Sequence, residues 1–160
     1  MNTAEKATKL LIQKNKTISF MESCTSGLLA SMFTDTEGAS KVFTGSLVTY
    51  SNEQKIKAGV SEDVISCYGV YSPECAREMA RAVKLIYKTD IAIGITGTTG
   101  NIDSENPDSV TGEAFFCIIS GDSIYDFHIQ KDVSKMSRKE IKQYYAEKVY
   151  EAVLTIHNSQ

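Results

Sequence analysis

The chain has 160 residues, 42% of them hydrophobic, enough to build one core, and no shift in composition marks a second domain. Basic side chains number 17 against 20 acidic, a net charge of −3, which leaves no electrostatic footprint for nucleic acid. The longest apolar runs, such as residues 115–119, fall far short of a membrane span, and residues 1–6 carry no signal-peptide apolar core. No membrane association and cytoplasmic residence are therefore the expectation.

The elements can be read in order. Residues 2–14 place Ala7, Leu10 and Leu11 at helical spacing behind an Asn2…Glu5 capping pair. A strand over 17–21 leads into a helix over about 26–34. Residues 42–50 read as a strand and 53–57 as a short helical turn. A further short helix begins at Ser61 and stops near Gly69. Ser72-Pro73-Glu74 is a helix start, with Ser at the N-cap and Pro at the first helical position. That helix continues through Met79, Val83 and Ile86 to about residue 88.

Residues 91–95 form a nearly unbroken apolar run, the pattern of a central strand covered on both faces. Residues 97–111 are rich in Gly, Asn, Asp, Ser and Pro, so they form a long loop, and loops of that length usually carry function. Strands over 113–120 and 123–130 flank Gly121-Asp122, a two-residue hairpin signal. Ser137-x-x-Glu140 caps a final helix with Ile141, Tyr144, Tyr145, Val149 and Val153 on one side. Alternating helices and strands predict an α/β fold. The expected form is a three-layer α/β/α sandwich with a mixed, mainly parallel central sheet, in one domain over 1–160.

Two stretches carry the chemistry. Glu22-Ser23-Cys24-Thr25-Ser26-Gly27 lies between a strand and a helix, where backbone N–H groups point outward and favour negative charge. A hydroxyl there can attack a carbonyl while neighbouring amides hold the oxyanion. Thr49-Tyr50-Ser51-Asn52-Glu53-Gln54-Lys55 adds a phenol and an amine, the groups a serine uses when no histidine base is present. The plainer reading is that Ser23, Thr25 or Ser26 caps the next helix, with Tyr50 an ordinary strand residue and Lys55 a solvated charge.

Other candidates are weaker. Cys24, Cys67, Cys75 and Cys117 have no Cys-x-x-Cys spacing and only His128 and His157 accompany them, so no metal site is expected. Cys117 reads as a buried small hydrophobe. Cys24 is an alternative nucleophile, since a helix N-terminus lowers a thiol pKa, but an extended start to the turn would point it away from Ser23. Gly94-x-x-Gly97-x-x-Gly100 lacks the dinucleotide spacing and is followed by a loop rather than a helix, so no nucleotide cofactor is expected. Thr96, Gly97 and Thr98 read instead as a ligand-facing turn at the carboxyl end of a strand.

Glu-Ser-Cys-Thr-x-Gly followed by Gly-x-x-Val-Thr-Tyr-Ser-Asn-x-x-Lys resembles the CinA C-terminal family, which includes nicotinamide-nucleotide amidases. The resemblance runs from about residue 9 to 154. It includes Thr34-Asp35-x-x-Gly38-Ala39-Ser40, Phe43-x-Gly45-Ser46-Leu47-Val48-Thr49-Tyr50 and the strand into Thr96-Gly97. Tyr68-Gly69-Val70-Tyr71-Ser72 stands where the family usually reads His-Gly-Ala-Val-Ser. The family commonly has two glycines where this chain has Ser26-Gly27. Its usual Ile-Ala-Gly-Pro-Gly-Gly is replaced by Thr98-Thr99-Gly100-Asn101-Ile102-Asp103. Its Lys-Pro-Val-Gly-Thr-Val is replaced by residues 108–114, of which only the Val-x-Gly skeleton remains. Exchanging a loop Lys for Asp or Ser weakens affinity for a substrate phosphate.

The resemblance implies a Ser23 nucleophile, a Tyr50/Lys55 base, and conversion of nicotinamide mononucleotide to nicotinate mononucleotide and ammonia. Tyr50 is read as a relay between Ser23 and Lys55. Substrate contacts are expected from Cys24, Thr25, Ser26, Gly27, Asn52, Thr96, Gly97, Thr98 and Arg138, with Arg138 near the phosphate or carboxamide. One pocket lined by Ser23, Thr25, Tyr50, Lys55 and Thr96, with residues 97–111 as its lid, is the geometric expectation. A pyridine nucleotide is the expected partner and a homodimer the expected assembly. The competing readings are an interaction module related to competence and damage proteins, or a phosphate-sugar binding domain without chemistry.

Overall fold

A computed structural model describes residues 1–158. Among the described residues five strands form one sheet in the order β2-β1-β3-β4-β5. Strands β1 (Ile18–Glu22), β2 (Leu47–Val48) and β3 (Ile91–Gly97) run parallel, whereas β4 (Glu113–Ser120) and β5 (Ser123–Gln130) are antiparallel. The sheet is therefore mixed, with a parallel half that holds the central strands.

The helices are α1 (Thr3–Lys14), α2 (Leu28–Thr34), α3 (Asn52–Lys57), α4 (Glu62–Tyr68), α5 (Pro73–Tyr87) and α6 (Arg138–Asn158). Alternation along β1 and β3 sorts them into two layers. Ile18, Phe20, Ile91, Ile93 and Ile95 face α1, α2 and α6, in a core that includes Leu11, Phe33, Tyr145, Val149 and Tyr150. Met21 and Ala92 face the opposite layer, where Met79 and Val83 of α5 meet them. Gly94 is the contact point. A Cβ there would lie 2.4 Å from the Ala76 carbonyl oxygen and 2.6 Å from the Ala80 nitrogen, so α5 sits on the sheet only because this residue has no side chain. The result is a three-layer α/β/α sandwich.

Most predicted elements form where the pattern placed them, including the 113–120/123–130 hairpin with identical limits. Caps explain much of this. Asn2, Ser51, Ser61 and Ser72 each accept a backbone N–H three residues on, and Ser137 and Glu140 cap α6 reciprocally.

Two expectations need correction. The strand foreseen over 42–50 is reduced to Leu47–Val48 plus a single bridge from Phe43 to Ile18. The Ser46 hydroxyl takes the Phe20 N–H that a longer strand would have taken, and Gly45 packs against the Tyr87 ring. The helix foreseen from residue 26 starts instead at Leu28, because Ser26 (φ +46°) and Gly27 (φ +101°) are both left-handed.

Candidate active site

The three parallel strands end on one edge of the sheet. The turn after β1 carries Ser23, the chain after β2 carries Thr49, Tyr50 and α3, and the 98–112 loop follows β3. Parallel pairing puts these carboxyl ends side by side, the edge where open α/β sheets hold ligands. Two backbone bonds lock it together: the Ser23 N–H donates to the Ile95 carbonyl and the Thr49 N–H to the Glu22 carbonyl.

Glu22 shapes the turn that carries Ser23. Its buried carboxylate accepts from the Thr25 hydroxyl (2.7 Å) and from the Leu29 and Ala30 N–H groups (2.8 and 3.1 Å). None of Ser23, Thr25 or Ser26 caps α2; the carboxylate at the end of β1 does so from seven residues away. The sequence signal for this role was present in Glu22-Ser23-Cys24-Thr25 but was read only as motif context.

Lys55 is 1% exposed and Ser23 6%. The Lys55 Nζ donates to Ser23 Oγ at 3.0 Å, to the Thr49 carbonyl at 2.8 Å and to the Tyr50 carbonyl at 3.2 Å. Among the described residues no carboxylate forms an ion pair with it. Burial pushes its pKa below the ordinary lysine value, against the weaker upward pull of Cys75, Cys24 and Asp103. In the neutral amine the two carbonyls occupy both N–H groups, which turns the lone pair toward the Ser23 hydroxyl.

Tyr50 does not stand between Ser23 and Lys55. Its phenol is turned outward, 61% exposed, and accepts from the Arg138 guanidinium at 3.1 Å. Only its backbone carbonyl touches Lys55, which overturns the relay reading. Cys24 is not turned away from the site as an extended turn would require. It lines the cavity, and burial pushes its thiol up to about 12, so it holds no thiolate near neutrality.

The cavity beside this pair encloses about 200 Å³. Cys24, Tyr50, Gly97, Thr98 and Arg138 from the sequence reading line it, together with Tyr71, Thr99, Asn101, Ile102 and Asp103. Ser23 and Lys55, expected to line the pocket, are not part of its lining: both are buried, Ser23 next to Cys24 in the chain and Lys55 bonded to the Tyr50 carbonyl. Thr25 and Thr96 do not reach the cavity: the first is bonded to Glu22 and the second donates to the Val70 carbonyl at 2.9 Å. Ser26, Gly27 and Asn52 also stand outside it. The 98–112 loop forms one wall and is held by the Tyr71 hydroxyl, which donates to Asp103 at 2.5 Å. Arg138 and Asn101 also border an open polar groove of about 680 Å³.

Tyr71 and Asp103 were missed. Each lies where the chain departs from the family pattern, which was the available signal.

The fold is an α/β sandwich with a buried serine–lysine pair at the carboxyl edge of its parallel strands. The chain belongs to the CinA C-terminal domain family, whose model matches residues 1–156. It is 38% identical to the Protein MG115 homolog of Mycoplasma pneumoniae, covering 92% of this chain and 91% of that protein. A CinA-like protein of Fervidobacterium nodosum is 46% identical over 58% of this chain, but the match spans only 23% of that longer relative. Among solved structures, a competence-damaged protein (CinA) superfamily member from Klebsiella pneumoniae superposes with a TM-score of 0.91. It is 20% identical, with all of both chains covered. A competence/damage inducible protein from Agrobacterium tumefaciens gives 0.82 at 23% identity, covering 99% of this chain and 97% of that one. At those identities the likeness speaks for the fold.

Proposed function

We propose that the chain is an amidohydrolase that deamidates nicotinamide mononucleotide, with Ser23 as nucleophile and Lys55 as its base. One observation carries the reading: a buried lysine without a carboxylate partner, 3.0 Å from a serine hydroxyl on a strand–helix turn. A buried lysine is costly, and a structural role would be filled as well by an apolar side chain.

Neutral Lys55 takes the Ser23 proton as Oγ attacks the carboxamide carbon. Amides of the 24–27 turn would hold the oxyanion, the Ser26 N–H apart, which is committed to the Ser23 carbonyl. Lys55, now an ammonium, returns the proton to the departing nitrogen and ammonia leaves. Water then attacks the ester, giving a proton to Lys55, which passes it to Ser23 Oγ as the ester C–O bond breaks, so that the serine hydroxyl, the neutral amine and the nicotinate product result. The carboxamide reaches Ser23 past Cys24 and Tyr50. Arg138, between the cavity and the open groove, is the candidate phosphate ligand.

The depth of Ser23 favours a second reading, a binding or interaction module that kept the fold without the chemistry. Ammonia release decides between them. The chain should deaminate nicotinamide mononucleotide faster than simple amides, and no ammonia from any amide would leave the module reading.

A further inference from the structure

Two charged residues line the small cavity, each tied to a phenol. Arg138 donates to the Tyr50 hydroxyl, and the Tyr71 hydroxyl donates to Asp103. The cavity thus presents a cation on one part of its wall, an anion on another, and two aromatic rings. Asp103 is a fixed carboxylate: the Tyr71 hydroxyl first, then the Asn106 side chain (2.9 Å) and the Glu105 N–H (2.9 Å), donate to it and hold its pKa below the usual range, which keeps it ionised. Tyr71 and Asp103 come from two separate departures from the family pattern, and they meet in one hydrogen bond.

We propose that Asp103 is a specificity-determining residue that selects amide substrates whose ring carries a positive charge. A carboxylate beside the Tyr71 phenol ring stabilises a flat organic cation by Coulomb attraction and by the quadrupole of the ring. It offers nothing comparable to a neutral ring of the same shape. Arg138 binds an anionic group on the same molecule, so the wall is complementary to a zwitterion with its cation next to the amide. This deepens the amidase reading and rests on it for turnover, though not for binding.

The rival role for Asp103 is mechanical, since its bond to Tyr71 also anchors the 98–112 loop. Tyr71→Phe breaks that bond and keeps the charge, whereas Asp103→Asn removes the charge. The probes are nicotinamide mononucleotide, whose pyridinium is cationic, and its 1,4-dihydro form, which has the same amide and phosphate on a neutral ring. Titration calorimetry gives Kd for each, and ammonia release gives kcat/KM. The wild-type chain should bind the cationic form about tenfold more tightly. Asp103→Asn should abolish that preference, with the change in KM rather than kcat, and Tyr71→Phe should retain it.

Equal binding of the two forms by the wild type would overturn the proposal, as would loss of the preference in Tyr71→Phe to the same extent as in Asp103→Asn. A chain that releases no ammonia but shows the Asp103-dependent preference in calorimetry would end the amidase reading and leave this one standing.

Discussion

Ser23 and Lys55 are almost sealed, at 6% and 1% exposure, whereas Tyr50 and Arg138 on the same site face solvent, with Tyr50 61% exposed. The inner pair is fixed by backbone: two carbonyls orient the amine, and Glu22 holds the turn that carries the hydroxyl. The outer residues are fixed by side chains on a loop and on the first turn of α6. Desolvation inside shifts a proton equilibrium toward a usable base. Charge outside, screened by water, is suited to recognition and contributes about 1 kcal/mol or less per pair. The contrast predicts that inner substitutions change kcat and outer ones change KM.

The largest effect is expected at the nucleophile. Ser23→Ala should lower ammonia release by about 10³- to 10⁶-fold while leaving the melting temperature nearly unchanged, and Cys24→Ala should keep most activity. A Ser23 variant that still turns over would transfer the role to Cys24 or Thr25.

Lys55 comes next. Lys55→Arg should be nearly inactive, because a guanidinium stays protonated. In the wild type, turnover should rise with pH and level off above a midpoint below 10.5, the value from which burial lowers this lysine. The groups that act on it there are Cys75, Cys24 and Asp103. Stability has the same sign. Between the folded pKa and 10.5 the unfolded chain binds the extra proton, so stability grows with pH through that window and falls as pH drops through it. A pH–rate profile with no rise at any pH below 10.5 would remove Lys55 as base.

Glu22→Ala should cost about 2 kcal/mol, since it orphans the buried Leu29 amide, the partly buried Ala30 amide and the buried Thr25 hydroxyl. Urea unfolding would read this, and turnover should fall with it as the Ser23 turn loosens. An unchanged midpoint would mean that the turn holds its shape without the carboxylate.

At the rim, Tyr50→Phe and Arg138→Ala should each raise KM by about tenfold or less, with kcat little altered. A Tyr50→Phe enzyme crippled in kcat would show that the phenol turns inward during catalysis and restore its place as a relay.

The smallest effect lies in the turn itself. Ser26→Gly should stabilise the chain by about 1 kcal/mol, because Ser26 holds a left-handed φ of +46° that glycine adopts without strain. A thermal melt that does not move would show that the serine side chain offsets the strain.

Local chemistry was legible in the sequence wherever one residue settles one geometry. Ser72-Pro73 started α5, Gly121-Asp122 turned the last hairpin, and Ser137-x-x-Glu140 capped α6, since caps and turns depend on neighbours within a few positions. Residue type made Ser23 and Lys55 candidates and the family resemblance singled them out, although 32 positions separate them. Parallel pairing then brought them to one edge.

Most of the failures are non-local. The strand over 42–50 looked continuous, but its own Ser46 hydroxyl, rather than a backbone carbonyl, took the Phe20 N–H of β1. Thr25 and Thr96 have the side chains of ligand-binding residues, and tertiary partners, Glu22 and the Val70 carbonyl, claim both hydroxyls. The Tyr50 phenol faces outward because Arg138, 88 residues away, meets it there. Tyr71 and Asp103 are 32 residues apart and became neighbours only when the 98–112 loop settled beside the start of α5. Sequence by itself determined the elements, their caps and the reactive residue types, because these follow from propensity and short-range bonding. Side-chain direction, burial and charge environment were decided by tertiary structure, because each depends on which distant segment supplies the partner or excludes the water.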